Sequence, residues 1–391
     1  MTILILYNTI EVVDYFQPDN TTIENDIAIT TLVNEGIGER AQHAAIYKIN
    51  DEKFYIYIKL FTNKNSIIVL DNTYSIIDQF DDHPGTCVQI VDNYLYTNGT
   101  GTIYRYDINP QTGLIDDKIN PKLPLRGVQS MPIFIIDEIT KDMYVHIPSK
   151  TNSCQSQNND RKPGFKGEMP CTRLLLTGGV WKFDSTKINQ TIDMGILYSS
   201  GLRKLTSLVL YKNYLYGIIQ GRDSLHELYP DLYTKEQGEE LASDELVQIN
   251  QNTNFGFPYC YWDSEENKRK LSPEYGGDGK IDEHCNSLIG KPKAIFNNHD
   301  GPNDLMIHND KLFIAWNGKP RPLKCDKSCS KLSVTFFNIS GDEMTLGEYN
   351  TLVQFDARHK TKPSGLVYTP DKSILIIDSL KGKIWKSVFK N

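Results

Sequence analysis

Seven cysteines carry the most readable chemistry of this 391-residue chain: Cys87, Cys154, Cys171, Cys260, Cys285, Cys325 and Cys329. Six fall into three local pairs, 154/171, 260/285 and 325/329, each bracketing a stretch rich in polar residues, Gly or Pro. Local pairs across loops point to disulfides, and so to an oxidising location, extracellular or on a particle surface. Zinc is the competing chemistry, because Cys325-Asp-Lys-Ser-Cys329 has a spacing that a zinc ion accepts. No second Cys or Cys/His pair of matching spacing lies nearby, which favours Cys154–Cys171, Cys260–Cys285 and Cys325–Cys329 as disulfides. Cys87 is left over inside the strand-like run Cys87-Val88-Gln89-Ile90 and reads as a buried thiol. Asn-x-Ser/Thr sequons stand at Asn20, Asn98, Asn189 and Asn338; they matter only where a glycosylation machinery is met.

The elements that position these groups come from a repeat. An apolar strand, a polar turn with Asp or Asn, a strand centred on Leu, Met or Phe next to Tyr or another apolar residue, and a third strand recur six times. The second copy, for example, runs Cys87-Val88-Gln89-Ile90, Asp92-Asn93, Tyr94-Leu95-Tyr96, then Gly101-Thr102-Ile103-Tyr104. Each copy is a meander of short strands without helical periodicity. One such unit cannot bury both faces, and six stacked radially bury each other. The expected fold class is therefore all-β: a six-bladed β-propeller spanning 1–391 as one domain, with blades starting near 41, 84, 128, 203, 302 and 362. The last copy supplies three strands before the chain ends. The apolar run Thr2–Tyr7 is expected as its fourth, outer strand, closing the ring and removing an exposed edge. Copies three, four and five carry insertions, roughly Asn152–Gly178, Gly221–Ser243 and Phe255–Pro302. Insertions in a repeat fold gather on one face, which places a site at one mouth of the central channel.

Composition excludes some functions. A net charge of -7 with scattered Lys and Arg offers no basic face, so no nucleic acid is expected as a partner. No run approaches the roughly 20 apolar residues of a membrane helix. Met1–Tyr7 lacks a basic leader and a small-residue cleavage site, so it reads as a strand and there is no clear signal peptide.

Four motifs go beyond pattern: Gly201-Leu202-Arg203; Ile219-Gln220-Gly221-Arg222-Asp223; Ser243-Asp244-Glu245-Leu246-Val247; and Asn254-Phe255-Gly256-Phe257-Pro258-Tyr259-Cys260. In that order they resemble the sorbosone dehydrogenase and soluble quinoprotein glucose dehydrogenase group, six-bladed propellers that use pyrroloquinoline quinone (PQQ) and calcium. Trp316-Asn317 and Lys362-Pro363-Ser364-Gly365 extend the resemblance, which covers about Ala41 to Val388. It implies a quinone at the channel mouth, paired with Arg203 and beside Lys204, where the family often has Asn. It implies a cofactor calcium on carbonyls after the Gln220-Gly221 turn, at Gly221 and Arg222, with Glu245 and Phe255 as further ligands. Carbonyl oxygens suit calcium whatever the side chain at 222. Asp244-Glu245 has a second reading, a strand-start pair that satisfies backbone amides. Lys319 and Lys362 stand where the family carries Arg, giving charge without the bidentate fork that Arg makes to a carboxylate.

The resemblance also implies a base. A family His in the third blade takes the substrate hydroxyl proton while hydride passes to the quinone. The matching stretch here, Arg126-Gly127-Val128-Gln129-Ser130-Met131, holds no His; Val128 or Gln129 takes that place. His146, in Tyr144-Val145-His146-Ile147, and His43, at the start of the first inner strand, are the alternatives, each as a displaced base or as a structural residue. The expected function is a dehydrogenase-like propeller that lost its base and serves as a binding or structural surface protein. The alternative is an active PQQ- and calcium-dependent dehydrogenase oxidising an aldose or sugar aldehyde. Either way the expected ligand is a sugar or other small molecule at the mouth.

Overall fold

The computed structural model describes residues 22–50, 52–156, 162–276, 285, 290–296, 300–318 and 332–390. Their strands form six radially stacked antiparallel blades of a β-propeller. Blade 1 is Ala41–Lys48, Phe54–Leu60, Ile67–Leu70 and Ile76–Phe80; blade 2 is Val88–Val91, Tyr94–Gly99, Thr102–Asp107 and Lys122–Arg126. Blade 3 is Ile133–Ile136, Asp142–Ile147, Gly179–Asp184 and Ile196–Ser200; blade 4 is Leu205–Tyr211, Tyr214–Ile219, Asp244–Ile249 and Pro292–Phe296. Blade 5 is Pro302–His308, Lys311–Asn317, Leu332–Ser340 and Thr345–Gln354. Blade 6 starts with Pro363–Tyr368, Ile374–Asp378 and Ile384–Phe389.

Side-chain alternation explains why these segments are strands and why they stack. In Phe54–Leu60 every residue is buried, because successive side chains serve different neighbours. Tyr55 and Tyr57 pack between blades 1 and 2 with Val88, Leu95 and Tyr106. Phe54, Ile56, Ile58 and Leu60 pack between blades 6 and 1 with Leu375, Ile377 and Ile384. A strand sandwiched on both faces reads as a continuous apolar run rather than as an alternating one.

The ring is closed by an N-terminal strand, but at a different place from the one expected. Thr2–Tyr7 lies outside the described residues. The fourth place in blade 6 is taken by Ala28–Asn34, antiparallel to Ile384–Phe389 with Ala28 opposite Phe389 and Leu32 opposite Trp385. Thr22–Glu24 adds a fifth strand outside it. The β-branched alternation Ile29-Thr30-Thr31-Leu32-Val33 suits an outer strand, whose one face packs while the other meets water.

Each inner strand runs away from the same mouth, and the turn between second and third strands returns to it. The insertions of blades 3 and 4 leave from those turns and so meet there. Residues 221–243 fold into two short helices, Leu225–Leu228 and Lys235–Glu240, the second opened by a Thr234/Gln237 capping box. The third insertion contains the hairpin Cys260–Asp263 with Lys268–Leu271. Two of the expected disulfides, Cys154–Cys171 and Cys260–Cys285, are formed, and Cys87 is a free thiol. Cys325–Cys329 lies outside the described residues.

Candidate functional site

The motif residues converge at this mouth between blades 3 and 4. Gly201, Arg203, Gln220, Gly221, Arg222, Ser243, Glu245 and Phe255 line one small cavity of about 40 Å³. Backbone geometry demands the glycines. A Cβ on Gly221 would lie 1.7 Å from the Ala242 carbonyl oxygen, and one on Gly201 2.2 Å from the Asn254 side-chain oxygen. Gly201 also has φ +71°, the left-handed region that glycine adopts without strain. Asp244 accepts from the Gly221 N–H at 2.9 Å, which is the backbone-satisfying role one reading assigned to it.

Three arginines face the cavity, each against a carboxylate. Arg203 reaches Asp223 at 3.3 Å and the Gly221 carbonyl at 3.5 Å. Arg222 forks onto Glu274 at 3.0 and 2.8 Å, both side chains buried. Arg269 forks onto Glu245 at 3.3 and 2.8 Å and also donates to the Gly290 carbonyl. Burial pushes the Glu245 carboxyl up, and Arg269 offsets only part of that. Burial also raises Glu274, yet the Arg222 guanidinium draws it below the usual carboxylate range. Sequence reasoning missed Arg269 and Glu274, which carry no local motif.

The insertions are sewn together above the cavity. The Asn152 amide donates to the Asp223 carbonyl at 3.3 Å. The Tyr275 hydroxyl donates to the Ser153 carbonyl at 2.8 Å, and the Cys171 N–H donates to the Tyr259 oxygen at 2.9 Å.

The donor set can be compared with the implied groups. The cavity has room for one ion or water, its Gly221 carbonyl and buried Ser243 hydroxyl are oxygen donors, and that hydroxyl has no hydrogen-bond partner among the described residues. The Gly221 carbonyl and this hydroxyl would be donors to an oxygen-ligated cation, with the Arg222 and Phe255 carbonyls as the further ligands that the resemblance implies, although three guanidinium groups line the same cavity. Glu245 arrives already paired with Arg269, so it adds no free charge to such a site. Among the described residues no cluster of three or more His, Cys, Asp or Glu could hold a metal. The cavity is too small for a quinone; Arg203 lines it, and the next residue, Lys204, is exposed. Lys362 is half-buried where the chain enters blade 6, on the same mouth, and lines neither this cavity nor the central one. Lys319 lies outside the described residues.

Neither residue matched to the family base is a histidine or a carboxylate. Val128 is buried in the core between blades 2 and 3, with Tyr96 and Phe134 in the same cluster. Gln129 is exposed beside it. The two histidines considered as alternatives border the central cavity of about 710 Å³, which all six inner strands line. His146 donates from Nδ1 to the Gly179 carbonyl at 2.9 Å and accepts the Leu205 N–H on Nε2 at 3.0 Å. Its basic lone pair is thus engaged, and burial draws its pKa down to about 3. His43 holds the Val88 carbonyl with Nδ1 at 3.0 Å and the Asp304 carboxylate with Nε2 at 3.2 Å. These two contacts favour the imidazolium form, and Asp304 with the Val88 carbonyl outweighs burial to raise its pKa. A third histidine escaped the sequence reading: His83, 57% exposed on the mouth-side face of blade 2. Its ring stacks on Tyr104 and its Nδ1 faces Asp82 at 3.4 Å.

Comparison with known proteins agrees with the architecture. The family model described as TrAA12-like matches residues 49–337. No curated protein sequence matches. Among solved structures, a Trichoderma reesei Carbohydrate-Active Enzymes Family AA12 protein superposes with TM-score 0.73 at 13% identity, over 95% of this chain and 98% of that one. The PQQ domain of pyranose dehydrogenase from Coprinopsis cinerea, in its holo form, gives 0.62 at 13% identity, over 92% and 95%. The PQQ-bound aldose sugar dehydrogenase of Streptomyces coelicolor gives 0.57 at 11% identity, over 92% and 98%. At these identities the structural likeness shows the fold alone.

Proposed function

The chain belongs to the TrAA12-like family, and on that premise we propose that it binds PQQ and a sugar at the mouth of blades 3 and 4 with its proton-accepting position disabled. PQQ, when bound, supplies the two-electron acceptor for sugar oxidation. Arg203 and Lys204 hold its carboxylates, and the oxygen-lined cavity behind Gly221 takes the companion cation. The observation that supports the reading concerns the two residues matched to the family base: Val128 is buried and apolar, Gln129 is an exposed amide, and neither takes a proton near neutral pH. His146 and His43 do not replace that base, because each has both ring nitrogens bonded. Such a protein retains ligand and turns it over slowly or not at all. The two disulfides suit assembly in an oxidising location, outside a cell or on a particle surface.

A second reading rests on His83. An exposed imidazole with one nitrogen oriented by a carboxylate is built like a general base. It makes the protein an active dehydrogenase. One experiment separates the two: titrate PQQ with calcium by absorbance, then follow dye reduction with a panel of aldoses for wild type and His83→Ala. Cofactor binding without turnover supports the first reading. Turnover that is lost in His83→Ala, with PQQ affinity kept, supports the second. Absence of PQQ binding at micromolar cofactor sinks both.

A further inference from the structure

A groove of about 800 Å³ crosses the mouth-side face of blade 1. Arg40, at the start of that blade, forms one wall. Phe61, Asn63 and Lys64 come from the loop joining Phe54–Leu60 to Ile67–Leu70, and Gln79 comes from the outer strand. At its inner end lies Met131, which also lines the central cavity. Groove and central cavity therefore adjoin at this side chain, and a ligand whose end sits at the mouth would extend outward past it over blade 1.

The chemistry of the path is specific. Phe61 is 37% exposed, an unusual position for a phenylalanine in a molecule that buries most of its aromatic rings. An exposed ring face beside planar amides is how a protein holds the apolar face and hydroxyl rim of a sugar ring. Asn63 and Gln79 provide the amides, both exposed. Arg40 and Lys64 are exposed as well, and neither forms an ion pair among the described residues. Glu39, which also lines the groove, pairs with Lys381, and Asp81 accepts the Asn65 N–H at 2.6 Å. With Glu39 held by Lys381, Arg40 and Lys64 leave the groove wall with an excess of positive charge on a chain of net charge -7, which favours an anionic ligand. The volume exceeds what one monosaccharide fills.

We propose that this groove is an oligosaccharide subsite for acidic sugars, holding residues beyond the terminal one at the mouth. Phe61 is the stacking platform, and Arg40 and Lys64 bind the sugar carboxylates. The assignment rests on reading the mouth as a sugar site, and its test is separable from that reading because it needs no cofactor and no turnover.

The test is calorimetric titration of the full chain with galacturonic acid, with oligogalacturonides of three to six residues, and with maltooligosaccharides of equal length. The acidic tetramer is expected to bind at least tenfold tighter than its monomer and than the neutral tetramer, with the margin shrinking as salt rises. Phe61→Ala should weaken the tetramer about tenfold, and Phe61→Trp should restore it. Arg40→Gln combined with Lys64→Gln should erase the preference for acid over neutral chains. All three side chains are exposed, so matching thermal melts are expected. Affinity independent of length, equal binding of neutral and acidic chains, or variants that bind like wild type would each overturn the proposal. PQQ titrated in parallel distinguishes the failures: oligosaccharide binding without PQQ binding leaves the groove standing, and PQQ-dependent oxidation of monosaccharides without oligosaccharide binding overturns the groove alone.

Discussion

At the scale of single residues, the site is a set of buried charges that only make sense in pairs. Arg269 and Glu245 are almost fully buried, and each satisfies the other through a fork. Removing one partner strands the other in a medium that cannot solvate it, which costs roughly 3–5 kcal/mol. Arg269→Ala should therefore lower the urea unfolding midpoint by that stability. Arg269→Met with Glu245→Leu should recover much of it, because two apolar groups replace two charges. A double variant as unstable as the single would show that the fork is not what holds these groups. Sequence reasoning reached one half of this arrangement. Arg203, Gly221, Arg222 and Phe255 were readable because close backbone approach forces glycine into a recognisable order. The partners were not: Arg269 meets Glu245 from 24 residues away across a hairpin, and Glu274 meets Arg222 from 52 away. The sequon at Asn98 is left open by the sequence. In the fold its amide is buried, donating to the Pro132 carbonyl and accepting the Thr86 and Cys87 N–H groups, which leaves no nitrogen for a glycan.

At the scale of elements, the six-fold meander is legible because each blade repeats an apolar strand, a polar turn and further apolar strands. The closing strand was misplaced because the most apolar N-terminal run was weighted above the amphipathic one. A half-covered outer strand has a weaker hydrophobic signature than a buried strand. The insertions were legible as stapled loops from cysteine spacing alone, and their mutual hydrogen bonds were not. The third insertion holds the Tyr261 and Trp262 walls of the cavity on a two-stranded hairpin, an element that is marginal alone. Its disulfide closes a sequence separation of 25, worth about 3.5 kcal/mol by loop entropy. Cys260→Ser with Cys285→Ser should cost stability of that order. It should also increase hydrogen exchange in Cys260–Leu271 first, since the propeller blades do not depend on the staple. Uniform exchange across all blades would instead make the disulfide a determinant of the whole fold.

At the scale of the whole molecule, one carboxylate links blades that share no sheet. Asp304 of blade 5 accepts from Ser207 of blade 4 at 2.8 Å and from the Leu366 N–H of blade 6 at 2.8 Å. It also faces His43 of blade 1, which in turn holds the Val88 carbonyl of blade 2. No sequence pattern shows this ring, because its members stand far apart among residues whose apolar spacing dominates. Burial alone would lower the His43 pKa, but Asp304 and the Val88 carbonyl outweigh it, and the folded value lies above the ordinary one. A raised histidine binds its proton more tightly in the folded state. Its stabilisation is thus complete below the unfolded pKa of roughly 6.5 and is lost as pH rises through the folded value. Other groups lining the same cavity do not confuse the window: His146 stays neutral down to about 3, and burial pushes the Cys87 thiol up to about 12. Urea unfolding of wild type and His43→Gln from pH 5.5 to 9 tests this, because the difference between them cancels titrations elsewhere. Wild type should be the more stable at pH 5.5, and its margin should narrow steadily above pH 6.5. A margin that stays flat, or widens with pH, would mean that the imidazolium does not hold the inner strands together.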